Sequence, residues 1–432
     1  MKKSSVAGNA MWLILSRAAQ SLLALAVTML TARYLGPSNF GLINYASSMV
    51  GFASPIAMLG LNSVLVHEII MDEQHEGTIL GSAIGISLLT GILSMAGIVS
   101  VSLLISPDDK AGAAVCFLYS FILVFQSLDL IECWFQAKLI AKYSAAAMLA
   151  AYIIVSAYKI ALLAAKSSIY WFALSNALDL AIIAFVLLIL YKRLGGQEIR
   201  FSWHQVRRLV LKSRYYIITN LMITVCSQTD KVMLKVMLGE HAAGLYSAAV
   251  SCALMTNFVF SAMINSGRPA IFEARKKNYA VYETDMKILF SCIIFLSLME
   301  CVLMSVFSEV LLGVIYGKKF LSASSVLKVF VWQNVFSYIG SVRGIWLLVE
   351  GKLKYVTILG VFSAIGNVML NSICIPAMGM MGAAAASLLT QIFANMIMPL
   401  CIKDLKQSNL ILLQSLHIKY AAGMLRTMIK KD

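Results

Sequence analysis

The chain has 432 residues, of which 60% are hydrophobic and 13% are charged, and its formal net charge is +15. An average soluble domain carries roughly a quarter charged residues, so this composition lacks the polar surface that a water-soluble particle needs. A soluble globular enzyme, a disordered chain and a disulfide scaffold are therefore excluded. The class that remains is a polytopic membrane protein.

Apolar stretches long enough to cross a bilayer recur along the chain. A membrane-spanning helix needs about 20 predominantly apolar residues. The first stretch is too long for a signal peptide and is followed by further spans, so we retain it. The sequence therefore predicts an all-α, polytopic integral membrane protein with about 12 transmembrane helices. The twelve stretches are roughly 10–31, 40–61, 78–105, 111–135, 143–165, 168–191, 215–238, 242–266, 288–312, 326–349, 355–377 and 380–402.

The distribution of Lys and Arg predicts the orientation of these spans. Of the 35 basic residues, 24 fall on the side that carries both termini, five fall on the opposite side and six lie within spans. Loops on the cytoplasmic side of membrane proteins carry the excess of basic residues. We therefore expect both termini in the cytoplasm. The positive net charge is then a signal of topology, and we expect no nucleic-acid partner.

A basic segment divides the spans into two groups of six. We predict an N-terminal six-helix lobe at 1–191, a basic cytoplasmic amphipathic linker at 192–214, a C-terminal six-helix lobe at 215–402 and a cytoplasmic amphipathic tail at 403–432. Apolar residues recur at helical spacing in the linker, which is typical of a helix in the headgroup layer; a solvated linker is the alternative. These apolar residues are Trp203, Val206, Leu209 and Val210.

The two groups of spans match each other at an offset of 203 residues. Leu35-Gly36 corresponds to Leu238-Gly239, and Gly41-Leu42 corresponds to Gly244-Leu245. Both copies lie at the junction between the first and second spans of their group. Because six is an even number, the two copies have the same orientation, as in transporters built from parallel repeats. Chance agreement of small residues is the alternative.

No residue pattern indicates a metal, nucleotide or cofactor site. The eight cysteines lie in apolar runs or at their ends without CxxC spacing, and the five histidines form no HExxH motif. The segment closest to a phosphate-binding loop, Gly313–Lys319, has the wrong spacing and lacks the hydroxyl residue. We therefore expect no metal and no cofactor, and transport that does not use ATP bound to this chain.

Two segments of the first group carry a family resemblance. Thr31–Ala46 (TARYLGPSNFGLINYA) and Met58–Glu68 (MLGLNSVLVHE) resemble the opening of the O-antigen and exopolysaccharide flippases, the Wzx type, of the multidrug/oligosaccharidyl-lipid/polysaccharide exporter superfamily. Ser227–Lys231 and Gly244–Ser247 support the resemblance in the second group. It implies two six-helix lobes around a central cavity, in the bacterial inner membrane.

The resemblance also implies a function. Such a flippase moves undecaprenyl-pyrophosphate-linked oligosaccharide, for example an O-antigen repeat unit, from the cytoplasmic to the periplasmic leaflet by alternating access, and it is not an enzyme. The lipid-linked oligosaccharide is the implied ligand, and a polysaccharide polymerase and a chain-length regulator are candidate protein partners.

Three alternatives stay open. A multidrug exporter, or another small-molecule or ion antiporter of the same superfamily, would share the fold but would want a carboxylate-dominated cavity for cationic drugs. A lipid II flippase would move different sugars on the same carrier. An O-antigen polymerase or another membrane glycosyltransferase is disfavoured, because the predicted outward loops are short.

The implied substrate needs a polar path, because a pyrophosphate and several sugars cannot cross hydrocarbon without one. Polar residues recur at helical spacing in spans one, seven, eight and twelve. Arg17 and Lys231 lie deep in their spans, so we expect them to contact the pyrophosphate; pairing with buried acids is the alternative. Lys235 lies close enough to a span end to reach the interface. The expected substrate-binding residues are Arg17, Gln20, Lys159, Lys231, Asn257 and Arg343.

Two acidic residues, Asp179 and Glu300, fall almost at the middle of their spans. A carboxyl group in hydrocarbon can exchange a proton, so both are candidates for coupling transport to a proton gradient. A structural role, as a neutral or paired acid, is the alternative.

Overall fold

The computed structural model describes residues 3–416, with side chains at residue 23 and at residues 26–416. Every regular element in this range is a helix, and the range contains no strand. In a bilayer each backbone N–H and C=O group needs a partner inside the protein, and a helix supplies that partner locally. The predicted all-α, polytopic class is confirmed.

Several predicted spans consist of two helices separated by a short break. The α-helices of residues 3–416 are α1 (Lys3–Ala57), α2 (Asn62–Met71), α3 (Glu76–Ile105), α4 (Lys110–Asp129), α5 (Glu132–Ala137), α6 (Ala141–Ala164), α7 (Ile169–Arg193), α8 (Trp203–Leu238), α9 (Glu240–Ala253), α10 (Asn257–Lys277), α11 (Tyr279–Val306), α12 (Ser308–Ile315), α13 (Ser324–Phe330), α14 (Gln333–Val349), α15 (Lys354–Met378), α16 (Met380–Ile392), α17 (Met398–Cys401) and α18 (Lys406–Ser415). A π-helical turn, Phe393–Ile397, joins α16 to α17.

Within the described residues, eight helical segments are long and apolar enough to cross a membrane. The number rises to nine when α9 and α10, which meet at a bend of 40°, form one span. The predicted number of twelve therefore stays a prediction. The helices α8 and α14, which correspond to predicted spans seven and ten, are not among the eight segments. Helix α14 has only 17 residues, and α8 carries charged residues along its length.

The chain divides into two compact units, Met1–Gly244 and Leu245–Asp432. In the first unit, α1 packs on α3, α4, α6 and α8, and α4 packs on α3 and α7. Two clusters of buried residues form its core, one around Leu65 and Trp134 and the other around Tyr45. The scaffold of this unit is thus a set of long apolar helices packed around α1 and α4.

Helix α8, the predicted span seven, packs within the first unit against α1, α2 and α3. The predicted lobes place the same helix at the start of the second lobe, because the internal repeat begins again there. Packing and repeat symmetry are different criteria, so the lobe boundaries stay a prediction. The side chains of α8 therefore contact other helices of the first unit, namely α1, α2 and α3.

Helix α11 is central in the second unit, where it packs on α10, α13, α14 and α18. Tyr282, Met286, Phe290 and Ile293 are fully buried. Their spacing of three and four residues places them on one face of the helix. Helix α14 contributes the buried Trp346 to this core.

The backbone repeats at the positions that match in sequence. Gly36 has φ 72° and ψ 174°, and Gly239 has φ 87° and ψ 173°. A positive φ of this size is accessible mainly to glycine, so both turns depend on the residue type. The structure therefore supports the internal repeat that the offset of 203 residues predicts.

Candidate functional site

A polar cavity of about 390 Å³ lies in the second unit between α10 and α14; we call it the α10–α14 cavity. One face of α10 supplies four polar side chains, because spacings of three and four residues bring them into line. None of the ten lining residues is acidic. The lining residues are Asn257, Ser261, Ile264, Asn265, Arg268, Ser337, Tyr338, Ser341, Gly344 and Ile345. Asn257, a predicted substrate-binding residue, therefore opens into a cavity.

A second cavity, of about 320 Å³, lies in the first unit and has both polar and apolar lining residues; we call it the α1–α8 cavity. Ser54 Oγ donates a hydrogen bond to Gln126 Oε1 at 3.0 Å across it. Its lining also lacks acidic residues. The lining residues are Gly51, Ser54, Pro55, Met58, Gly60, Asn62, Gln126, Asn220, Ile223 and Thr224. Amide and hydroxyl groups of this kind both donate and accept hydrogen bonds, as sugar hydroxyls do.

Lys231 lies on α8 beside an amide that connects α8 to α1. Its Nζ donates to Gln228 Oε1 at 3.3 Å, and the same oxygen accepts a hydrogen bond from Ser48 Oγ at 3.0 Å. The Lys231 side chain is half-buried. Its ammonium group has three donors, so the Gln228 contact leaves donor capacity for a ligand. Contact with pyrophosphate stays a prediction for this residue.

Lys159 and Asp179 lie near each other in the first unit, on α6 and α7. Lys159 Nζ donates to Asn176 Oδ1 at 3.0 Å, and the Lys159 charge acts on Asp179. Asp179 Oδ1 is buried and has no hydrogen-bond partner among the described residues. This arrangement contains both the cation and the acid that the sequence analysis singled out. Both the coupling role of Asp179 and the substrate contact of Lys159 stay predictions.

Among the predicted substrate contacts whose side chains the structure describes, Arg343 is the most deeply buried, with 1% of its surface exposed. Its Nη1 donates to Asn409 Oδ1 at 2.6 Å, and its Nη2 donates to the backbone oxygen of Asn395 at 3.2 Å. Asn395 lies in the π-helical turn, where the wider winding changes the usual backbone pairing. The guanidinium therefore ties α14 to the π-helical turn and to α18, inside the second unit.

Glu300 lies on α11 opposite the break between α9 and α10. It accepts a hydrogen bond from Thr256 Oγ1, and Thr256 is the residue that precedes α10. Glu300 is therefore held at a helix break, a place where the backbone can bend. Its predicted role in coupling stays a prediction.

Arg17 and Gln20 lie outside the residues whose side chains the structure describes. Their predicted contact with the substrate stays a prediction. Both belong to the N-terminal half of α1, ahead of the Gly36 turn.

Lys235 lies near the end of α8 and pairs with a residue of the loop between α3 and α4. It is 6% exposed, and its Nζ contacts Asp109 Oδ2 at 2.6 Å and lies 4.8 Å from the centre of the Tyr45 ring. Burial alone would raise the pKa of Asp109, but the hydrogen bonds from Lys235 and from the Gly112 N–H hold that pKa below its ordinary value. Sequence reasoning missed this ion pair because Asp109 lies in a loop, 126 residues from its partner.

Some lining residues of the two cavities were not predicted as part of a polar path. Ser337 and Ser341 have the four-residue spacing of a helix face, and this signal could have placed them beside α10. Gln126 and Asn62 stand alone in their segments and give no periodic signal. They are brought together only by the fold of the first unit.

Solved structures of other proteins share the fold of this chain. An inward-facing multidrug resistance MATE family transporter of the MOP superfamily aligns with a TM-score of 0.69 and 14% identity, over 90% of this chain and 96% of that chain. The lipid II flippase MurJ, in an inward closed conformation, aligns with a TM-score of 0.72 and 14% identity, over 94% and 91%. The chain therefore has the fold of MATE and MurJ transporters.

A third solved structure has the same fold. A MOP superfamily transporter from Pyrococcus furiosus aligns with a TM-score of 0.60 and 13% identity, over 93% of this chain and 96% of that chain. At such identities the likeness concerns the fold alone. None of the curated proteins compared with the chain matches it.

The sequence also matches a protein family. Residues 6–275, well over half of the chain, match the family described as "Polysaccharide biosynthesis protein". The chain belongs to this family. The predicted resemblance to polysaccharide flippases is confirmed by the family match together with the transporter fold.

Proposed function

We propose that this protein translocates an undecaprenyl-pyrophosphate-linked oligosaccharide, such as an O-antigen repeat unit, from the cytoplasmic to the periplasmic leaflet of the bacterial inner membrane by alternating access. Membership of the polysaccharide biosynthesis family supports a saccharide substrate. The transporter fold supports movement of that substrate rather than chemistry on it.

The observation that carries the proposal is the composition of the two cavities. Each is lined by amides, hydroxyls and apolar groups, and neither contains a carboxylate. Amides and hydroxyls suit neutral sugars, and the Arg268 guanidinium of the α10–α14 cavity suits a phosphate. A cavity for cationic drugs would want acidic residues. The polarity therefore supports a saccharide-phosphate substrate over the multidrug alternative.

The proposal is tested by following the lipid-linked sugar in cells. In cells without the protein, the lipid-linked oligosaccharide should accumulate in the cytoplasmic leaflet, and identifying its sugars separates an O-antigen flippase from a lipid II flippase. The variant Asn257→Ala/Asn265→Ala should show the same accumulation at near-normal protein abundance, because it removes two amides from the cavity lining.

A matched control uses an asparagine away from the cavities. Asn39 is exposed, and within the described part of the chain its one hydrogen bond is donated to the Leu35 backbone oxygen four residues earlier. Asn39→Ala should therefore keep surface polysaccharide. Normal surface polysaccharide in the Asn257→Ala/Asn265→Ala cells would argue against the α10–α14 cavity as the saccharide path.

We also propose that any proton coupling runs through Asp179 or Glu300. Flipping in reconstituted vesicles should need no ATP, and its response to a pH gradient should be lost in Asp179→Asn or Glu300→Gln. If both variants respond as the unmodified protein does, these residues are not coupling sites. Net flipping towards the periplasm would then be driven by removal of the flipped unit, when a polymerase acting with a chain-length regulator joins it to a growing polysaccharide.

A further inference from the structure

The first turns of α8 have two different faces. Val206, Leu209 and Ser213 are buried within the first unit. Beside them, Arg208 Nη2 contacts Glu68 Oε2 at 2.9 Å and Lys212 Nζ contacts Glu68 Oε1 at 2.6 Å. This inward face is fixed by ion pairs to α2. Val206 and Leu209, which the sequence analysis assigned to a lipid headgroup layer, therefore pack against protein instead.

The opposite face of the same turns is exposed; we call it the α8 arginine face. Its residues are spaced by four, four, three and one, which keeps them on one side of a helix. Large apolar and aromatic side chains alternate there with guanidinium groups: Trp203 is 65% exposed, Leu211 54% and Tyr215 66%. The residues of this face are Trp203, Arg207, Leu211, Arg214 and Tyr215.

The guanidinium groups of this face retain hydrogen-bonding capacity. Arg207 is exposed and makes no ion pair or hydrogen bond within the described part of the chain. Arg214 lies 4.8 Å from the Tyr215 ring and donates to the Tyr215 hydroxyl at 3.1 Å, without a carboxylate partner among the described residues. An arginine has five N–H donors in a planar fork that fits two phosphate oxygens. Both side chains can therefore accept an external anion.

The neighbouring residues favour a membrane over a soluble anion. The face continues along α8 into Ile218, which is 50% exposed, and it begins beside Phe201, whose ring lies 5.1 Å from the Trp203 ring. Aromatic rings next to arginines are typical of the headgroup level of a bilayer, with apolar side chains directed to the acyl chains. The predicted cytoplasmic position of α8's first residue matches the leaflet that carries anionic lipid.

We propose that the α8 arginine face binds the headgroups of anionic phospholipids in the cytoplasmic leaflet. Arg207 and Arg214 contact the phosphates, and Trp203, Leu211 and Tyr215 contact the adjacent lipid. The proposal concerns the surrounding bilayer and does not depend on which substrate is transported.

The experiment compares lipid discs of two compositions, phosphatidylcholine alone and phosphatidylcholine with phosphatidylglycerol. The full chain should unfold at a higher temperature in the anionic discs and should retain phosphatidylglycerol in native mass spectrometry. Arg207→Gln/Arg214→Gln should lose most of that thermal shift and of the retained lipid. Its unfolding temperature in pure phosphatidylcholine should stay unchanged, because both side chains lie outside the core.

A control with the same change in net charge separates a binding face from general electrostatics. Lys276 and Lys277 are exposed at the end of α10, and Lys276→Gln/Lys277→Gln should keep the full thermal shift. Arg207→Lys/Arg214→Lys should keep part of it, since the charge remains without the fork. The proposal is overturned if Arg207→Gln/Arg214→Gln keeps the whole shift, or if the lysine control loses as much.

Discussion

Gly41 and Gly244, which lie 203 residues apart in the sequence, pack backbone against backbone. A Cβ atom on Gly41 would lie 1.9 Å from the Glu240 backbone oxygen, and a Cβ atom on Gly244 would lie 1.9 Å from the Pro37 backbone oxygen. Pro37 and Glu240 are themselves 203 residues apart. The contact is therefore reciprocal, and each copy of the repeat supplies the same two positions to it.

This contact predicts the effect of adding one methyl group. Gly41→Ala or Gly244→Ala should destabilise the protein by about 1–3 kcal/mol or more, because the obstructing atoms belong to the backbone and cannot rotate away. Thermal unfolding in detergent measures the change. Gly97→Ala is the control, since nothing lies within 4 Å of a Cβ atom there. Equal unfolding temperatures for all three variants would contradict the close packing.

The ion pair between Asp109 and Lys235 predicts a dependence of stability on pH. The pKa of the Asp109 carboxyl group is lowered in the folded protein. The ion pair therefore stabilises the fold fully at pH values above the ordinary aspartate pKa of about 3.9. This contribution disappears as the pH falls through the lowered pKa. Asp109→Asn should cost ~3–5 kcal/mol at neutral pH, because Lys235 is buried and loses its partner.

The measurement is the unfolding temperature from neutral pH downwards. The difference between the unmodified protein and Asp109→Asn should shrink as the pH approaches and passes the lowered pKa. Asp108→Asn is the control, since Asp108 is exposed one residue earlier. A difference that is constant with pH would show that Asp109 acts through its shape rather than its charge.

Each predicted group of six spans has an ion pair between the segment after its second span and the segment after its fourth span. In the first unit, Lys138 Nζ contacts Glu76 Oε2 at 2.8 Å, between the residue after α5 and the start of α3. In the second unit, Arg275 Nε contacts Glu350 Oε1 at 3.1 Å, between the last turn of α10 and the residue after α14. The base and the acid have exchanged places while the connection is kept.

Reversing one charge should therefore break such a connection, and reversing both should restore it. Lys138→Glu should destabilise the protein by ~3 kcal/mol or more, because Glu76 is buried and would meet a like charge. Lys138→Glu/Glu76→Lys should recover at least half of that loss in a thermal unfolding measurement. Glu273→Lys, at an exposed residue of α10, makes the same type of change elsewhere and should have little effect. Additive losses in the double variant would show that the pair is not coupled.

The orientation deduced from the basic residues is open to a direct test. A reporter that is active only in the periplasm should be active when fused after Asp109 or Lys318, and silent when fused after Lys212 or Lys277. The expectation rests on the excess of Lys and Arg on one side of the spans. Periplasmic activity at Lys212 would reverse the assignment of the leaflet that the α8 arginine face meets.

The fold was predictable where one residue type determines the local geometry. Gly36 and Gly239 could be matched from the sequence, because a turn with positive φ needs glycine wherever it occurs. The apolar stretches likewise required helices, because no other open structure satisfies the backbone in lipid. The break after Asp129 was not predictable, since neither proline nor glycine marks it.

The candidate site was predictable only in part. The spacing of Asn257 and Asn265 on α10 indicated a polar face, and the structure places both in one cavity. The depth of a Lys or Arg residue within its predicted span does not reveal which group its side chain contacts. Lys235 finds its acid in a distant loop, and Arg343 finds a backbone oxygen, which carries no signal in the sequence.

The contacts of Arg343 distinguish a structural cation from one that binds substrate. If the guanidinium holds α14 to the π-helical turn and to α18, Arg343→Gln should lower the unfolding temperature and the abundance of the protein. The reason is that Asn409 Oδ1 and the Asn395 backbone oxygen lose their hydrogen-bond donor. Each buried group left unpaired costs about 1–3 kcal/mol. Arg343→Lys should recover little, since one ammonium group cannot replace the fork. Arg268→Gln, which changes a residue that lines an open cavity, should keep normal abundance and lose surface polysaccharide. Normal abundance and normal unfolding of Arg343→Gln, together with loss of transport, would instead establish Arg343 as the substrate contact that the sequence predicts.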